Sequence, residues 1–310
     1  MKNISIGGQA HYNGITIYDD YKITSLKINK DDSLLIQVSE ANNKYNQYFD
    51  KLYFLRGITR FLDSMILQIN TTKIFENKNY KSKKIFNFFY ILNEYFILII
   101  TLLFFIEVPI ITARLFLLLL DNSIFLISIE GIIRTTSYII LLSAIKYFNS
   151  THQLLKYHAA EHMLINSFEK NKELTIPLIR KTSKENIRCG STYFFILAII
   201  YFVIFLILEL TIHGRFNESL IARLAMFPVA IAISNELLII IKKSKRISQS
   251  KFTKILLKVQ KNTTAHPDDH HLQVALATIS VHQSKMSFGN YNLKNFQDLY
   301  QLIKLKNRSS

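Results

Sequence analysis

Residues 192–212 read TYFFILAIIYFVIFLILELTI, a run broken only by Glu209. At 1.5 Å per residue this stretch is long enough to cross a hydrocarbon layer of ~30 Å as one helix. The same signal recurs on both sides of it. A second run fits 222–241, with Pro228 as a kink and Glu236 near its end. Upstream, 124–148 fits a span that carries Glu130 and Arg134 at i, i+4, close enough to pair. The run 85–106 fits another, with Glu94 as its one acid. The apolar signal passes Pro109, where a helix ends or kinks, so 110–121 is expected as a short interfacial or re-entrant piece. The fold expected is an α-helical membrane protein with about four transmembrane helices.

Composition agrees. Charged residues make up 19% of the 310, yet the net charge is +16. The segments 1–84, 149–191 and 242–310 carry 13, 7 and 13 Lys and Arg, which is 33 of the 38. Four spans put all three segments on one side, and the positive-inside rule makes that side the cytoplasm. The chain is thus expected to span a membrane with both termini cytosolic, its basic excess facing anionic lipids of the inner leaflet. No recognisable nucleic-acid module accompanies the charge, so nucleic acid is not the expected partner. The single cysteine, Cys189, forms no disulfide within the chain and suits a cytosolic site. The start MKNISIGGQAHYNG has no apolar h-region, so the spans themselves are expected to direct insertion.

Outside the spans, 7–40 reads as a small antiparallel sheet. Residues 14–18, 22–28 and 34–38 are β-rich, with Asp19-Asp20 and Lys30-Asp31-Asp32 as turns. Gly7-Gly8-Gln9-Ala10 before them reads as a tight turn. From Phe54 to Phe75 the period becomes helical, and the basic run from Lys73 to Lys84 reads as a solvated linker. The organisation expected is a cytosolic β-rich element (1–53), an amphipathic helix and basic linker (54–84), and spans 1–2 (85–148). A cytosolic helical segment (149–191), spans 3–4 (192–241) and a cytosolic helical C-terminus (242–310) follow. The whole is α+β.

The chemistry concentrates in Lys156-Tyr157-His158-Ala159-Ala160-Glu161-His162. In a helix, His158 and His162 share a face and can clamp a divalent metal, zinc first among them. Glu161 stands beside them, placed to act as general base. This is the inverted zincin pattern, H-x-x-E-H. The bland alternative is a helix with two solvated histidines and a glutamate. A tight site needs a third ligand. Glu236 is the expected one, because a carboxylate in an apolar run calls for a cation; its alternative is an ion pair with Arg223 or Lys242. Glu169 lies on the same face as both histidines and is a rival. Cys189 offers a thiolate, or is simply a small residue packed at a helix start. His266 and Asp269 belong to a His/Asp cluster that either binds metal or, through Asp268 or Asp269, caps a helix over 270–284.

Several stretches together resemble the YqhQ family of bacterial multi-pass membrane proteins. They are Gly7 to Ala10, Phe54-Leu55-Arg56-Gly57, Lys156 to His162 with Ile165-Asn166, and Glu173-Leu174-Thr175. Arg188-Cys189-Gly190-Ser191, Pro228-Val229, Ile233-Ser234 with Glu236, and Thr263-Thr264 with Pro267 and Asp269 continue it. The resemblance implies an inner-membrane protein built around an HxxEH helix, in a family described as metal-dependent enzymes without a settled reaction. The chain departs from the family at Asn13, Ala159, His266 and Gln273, so roles of the acids the family has at Asn13, His266 and Gln273 do not carry over.

Three functions are compatible with these residues. One is a metal-dependent hydrolase at the cytosolic face. Another is a non-catalytic membrane factor, such as a chaperone or an insertion-associated component, with membrane-protein partners. The third is a transporter, using Glu94, Glu130, Arg134 and Glu236. The topology is directly testable: a reporter fused after Ser310 should be active only in the cytosol, and activity on the outer side would overturn it.

Overall fold

The computed structural model describes residues 6–41, 52, 54–75, 108, 111, 112, 115, 123–145, 147, 149–170, 173–212 and 220–308. The span expected at 85–106, the basic linker beyond Phe75 and nearly all of 110–121 lie outside the described residues. Three described helices are long and apolar enough to cross a bilayer. They are α2 (Ser123–Ile145), α5 (Gly190–Ile212) and α6 (Leu220–Lys243), within two residues of expectation apart from the C-terminal end of α2. Their outward residues are left free for lipid: Ile132 is 65% exposed, Ile140 62% and Ile221 79%. α6 continues through Pro228 without a break in its assignment.

A buried ion cluster links polar groups inside these helices. Glu130 on α2 accepts from Arg134 Nη2 at 2.6 Å and from Arg223 of α6 at 2.6 and 3.0 Å. The i, i+4 pair read from the sequence is therefore one half of a cluster that ties α2 to α6. Arg134 and Arg223 also lie over the rings of Tyr201 and Phe205 on α5, 4.8 and 5.1 Å from the centroids, so all three spans share the cluster.

The N-terminal element is a five-stranded antiparallel sheet, ordered β1 (Gly7–His11), β2 (Gly14–Tyr18), β3 (Lys22–Ile28), β4 (Leu34–Glu40) and β5 (Gly289–Leu293). Gly7 to Ala10, expected as a tight turn, is the first strand. The fifth strand comes from the far end of the chain and was not anticipated: Tyr291 and Leu293 do alternate with asparagines, but a five-residue segment with one glycine and two asparagines reads as a turn. Register sets the two faces. Ile15, Leu26, Ile36 and Tyr291 form one cross-strand row, and Ile17, Thr24 and Val38 its neighbour. This apolar face packs on α3 (Asn149–Phe168) and α9 (Asp269–Gln283). The opposite face carries a polar row in which His11 meets Thr16 at 3.0 Å and Thr16 meets Ser25 at 2.8 Å. Lys22 fastens the sheet to α9 by donating to the carbonyls of Val281, His282 and Ser284 at 3.0–3.1 Å, groups a helix end leaves without partners.

Two helices join this layer to the spans. α1 (Leu55–Phe75) crosses α6 at Gly57, where a Cβ would come within 2.8 Å of Ala232 Cα, so only glycine permits the approach. Its other end meets β1, with Thr71 donating to Gln9 at 3.1 Å. α4 (Ile176–Arg180) opens the connection from α3 to α5. After α6 come the short α7 (Lys245–Ser248), then α8 (Lys251–Val259), a 3-10 turn at Gln260–Asn262, α9, β5 and α10 (Phe296–Arg308). Asp268 stands at the N-cap of α9, but its carboxylate makes no capping bond, because it is held by Lys156 at 2.7 Å.

The buried cluster yields a stability prediction. Glu130→Gln leaves two guanidinium groups against a neutral partner, and losing one member of a buried ion cluster costs about 3–5 kcal/mol. Thermal unfolding in detergent should show a large downward shift in Tm for Glu130→Gln and almost none for an exposed change such as Glu173→Gln.

Candidate metal centre

The site is assembled from four separate pieces of chain. α3 contributes His158, Glu161 and His162 from adjacent turns. The 181–189 connection brings Cys189 to the head of α5. The turn after α8 brings Thr263, and β1 brings Gly8. Nε2 of His158 lies 3.3 Å from Cys189 Sγ, and the ligand atoms of His158, His162 and Cys189 all lie within 4.8 Å of one another. The two imidazole centroids are 4.3 Å apart.

Both rings are fixed from behind. His158 Nδ1 is 2.7 Å from the Thr263 carbonyl oxygen, and His162 Nδ1 is 2.7 Å from the Lys184 carbonyl oxygen. A carbonyl only accepts, so each Nδ1 carries its proton and donates, which leaves both Nε2 atoms turned toward the sulfur. This is the outer support that metal-ligating histidines show. The supporting loops are themselves held. Gln260 accepts from the Asn186 N–H at 2.8 Å and donates to the Asn186 carbonyl at 2.5 Å and to Thr192. Asn166 donates to the carbonyls of Ser183 and Glu185, and Ser191 bridges Cys189 at 3.1 Å and Thr263 at 3.3 Å.

The electrostatics follow from burial and facing charges. Burial alone would push the Cys189 thiol up, but the His158 and His162 imidazoles facing it outweigh this and hold it well below the ordinary thiol value. Burial would likewise lower His158, and the Cys189 thiolate with the Glu161 carboxylate raises it to about 9. The protonated His158 Nε2 and the Cys189 thiolate thus form a buried ion pair, and a divalent ion bound there would take the place of that proton. Glu161 is buried and its carboxyl is pushed up by desolvation, against the opposing pull of His162 and His158. Its Oε2 lies 3.7 Å from His162 Nε2. Gly8 closes over it: a Cβ there would come within 2.2 Å of Glu161 Oε1. Tyr18 is pushed up to about 12 by burial and by the charge of Glu161.

The donor set fits a divalent ion of zinc's preferences. With Zn–N near 2.05 Å and Zn–S near 2.3 Å, a tetrahedral centre separates N and S by roughly 3.6 Å, close to the 3.3 Å seen. Two imidazoles and a thiolate are borderline-to-soft ligands, a set that suits zinc along with copper and iron.

The remaining expected ligands stand elsewhere. Glu236 accepts from Arg56 Nε at 2.6 Å and from Arg56 Nη2, so both its oxygens are engaged by a guanidinium on α1. Its partner is that arginine rather than the Arg223 or Lys242 expected as alternatives. Glu169 pairs with Arg188. Asp269 pairs with Arg180, and His266 is exposed. His271 stacks on Tyr157 with centroids 4.5 Å apart and meets Gln153 at 2.9 Å, so the C-terminal His/Asp stretch serves to dock α9 on α3. Sequence reasoning missed Gln260, Asn186 and the Lys184 carbonyl. Amides in polar loops carry no local signature, and a backbone carbonyl carries none at all.

The known relatives name no reaction. Residues 52–284 match the family model described as "Protein of unknown function (DUF1385)". The chain is 30% identical over 159 residues to the Bacillus subtilis (strain 168) "Uncharacterized protein YqhQ". That match covers 50% of this chain and 48% of the relative, so the chain spans about half the length of the curated relative it matches. No solved structure matches. The match over 52–284 takes in α3, Cys189 and Thr263, and the chain belongs to the DUF1385 family, to which the YqhQ resemblance also pointed.

Proposed function

We propose that the chain is a metal-dependent membrane hydrolase working at the cytosolic face of a bacterial inner membrane. His158, His162 and Cys189 hold the ion and Glu161 manages the proton. The observation that carries the reading is the pair of Nδ1–carbonyl hydrogen bonds, which aim two Nε2 atoms at one sulfur. A resident divalent cation would supply Lewis acidity at that point. The chain's own residues do the rest. Glu161, buried and raised, takes a proton from attacking water at its carboxylate and returns it to the leaving group as the scissile bond breaks. Gly8 and the neighbouring Tyr18 keep bulk water away from that carboxylate. The cytosolic placement rests on the concentration of Lys and Arg in the segments that flank the spans on the site's side.

A second reading is favoured by the thiolate itself. Cys189 with His158 as its base is a nucleophile pair in geometry and charge. It leaves His162, which faces the same sulfur and has its own carbonyl support, without a task. The metal reading uses both imidazoles.

Protein purified in mild detergent without chelator should contain about one zinc per chain. His158→Ala, His162→Ala and Cys189→Ala should each bring that to near zero. Glu161→Gln should keep the metal, since the carboxylate acts on the proton, and should abolish turnover of any substrate found. Cobalt substitution should give a thiolate charge-transfer band that disappears in Cys189→Ser. Metal-free protein whose histidine variants lose only stability would move the assignment to a non-catalytic membrane factor.

A further inference from the structure

We propose that α7 and α8 form a docking surface for the anionic phospholipid headgroups of the leaflet next to the metal centre. α6 ends at Lys243 and the chain turns at once. Ser244 accepts from Ile247 N–H at 3.4 Å to start α7, and Ser250 from Thr253 N–H at 3.2 Å to start α8. Thr253, Leu256 and Val259 form the buried side of α8. Leu256 and Val259 pack with Leu142, Phe195 and Ile241, which belong to the ends of α2, α5 and α6 nearest the site. α8 therefore lies across the ends of the three spans, at the level where apolar core gives way to headgroups.

Its outer side has two parts. At 100° per residue, Lys251, Lys254 and Lys258 share one sector. Ile255 falls between that sector and the buried side, while Phe252 points to the buried side from the first turn of the helix, where little covers it. Phe252 is 40% exposed and Ile255 54%, and all three lysines are exposed. Lys242, Lys243 and Arg246 add exposed positive charge just before α8. An aromatic and an aliphatic side chain left uncovered beside a row of lysines, on a helix joined to the end of a span by one short helical turn, is the make-up of an interfacial helix. The apolar pair enters the acyl boundary and the ammonium groups reach phosphates. Charge complementarity selects anionic lipid over zwitterionic lipid, and continuity with α6 supplies the lipid without any diffusing partner. The same helix runs through the 3-10 turn into Gln260 and Thr263, whose bonds to Asn186 and His158 build the site. Its seat on the membrane is thus one turn from the metal centre, yet the lipid contact stands whether or not a metal is bound.

The test uses the full chain in nanodiscs of equal parts phosphatidylcholine and phosphatidylglycerol, with co-purified lipid read by native mass spectrometry after gentle release. The wild type should retain phosphatidylglycerol over phosphatidylcholine, and K251Q/K254Q/K258Q should lose that preference by about tenfold or more. A charge-matched control, K285Q/K304Q/K306Q, should keep it, and circular dichroism should be unchanged in both. Three outcomes would overturn the proposal: no lipid preference in the wild type, a preference that survives in K251Q/K254Q/K258Q, or an equal loss in the control.

Discussion

Two backbone carbonyls, of Thr263 and Lys184, decide where two imidazole nitrogens point, and the rest of the structure is arranged to keep those carbonyls still. Each lies in an irregular segment, and such segments move unless they are tied. Gln260 binds both backbone groups of Asn186, joining the Lys184 segment to the turn that carries Thr263. Asn166, one turn beyond His162, grips the same segment from α3. The helix that supplies the histidines thereby also positions the groups that orient them. With Nδ1 committed, the Nε2 atoms face Cys189 and, for His162, the Glu161 carboxylate.

The spans show a related economy with charge. Glu130 answers two arginines from two helices, and Glu236 answers Arg56. Unpaired, any of these groups would be costly in hydrocarbon. Paired, they fix the order in which helices meet. The Arg56–Glu236 pair and the glycine crossing at Gly57 together seat α1 against α6. α1 then reaches β1, the strand that covers Glu161. A membrane-level ion pair thus bears on the water-excluding side of the candidate site through one rigid helix.

Much of this was legible in the sequence. Twenty-residue apolar runs read as α2, α5 and α6, and alternation gave β2, β3 and β4, because those signals are local. The two histidines and Glu161 were legible for the same reason, being one turn apart. The partner of Glu236 was not. A carboxylate in an apolar run rightly called for a cation, but Arg56 is 180 residues from Glu236, and only the fold reveals that it supplies one. Cys189 sits 31 residues from His158, and nothing in its neighbours separates a ligand from a small packed residue. Gly7-Gly8 reads as a turn because glycine permits turns. Here the requirement is tertiary, an absent Cβ that lets β1 close on Glu161.

The central claim is that His158, His162 and Cys189 share one metal ion. X-ray absorption at the zinc edge on purified protein tests it most directly. The account predicts a first shell of one sulfur near 2.3 Å and two imidazole nitrogens near 2.0–2.1 Å, completed by one lighter donor. A shell of nitrogen and oxygen alone, or protein that carries no zinc after reconstitution, would contradict it.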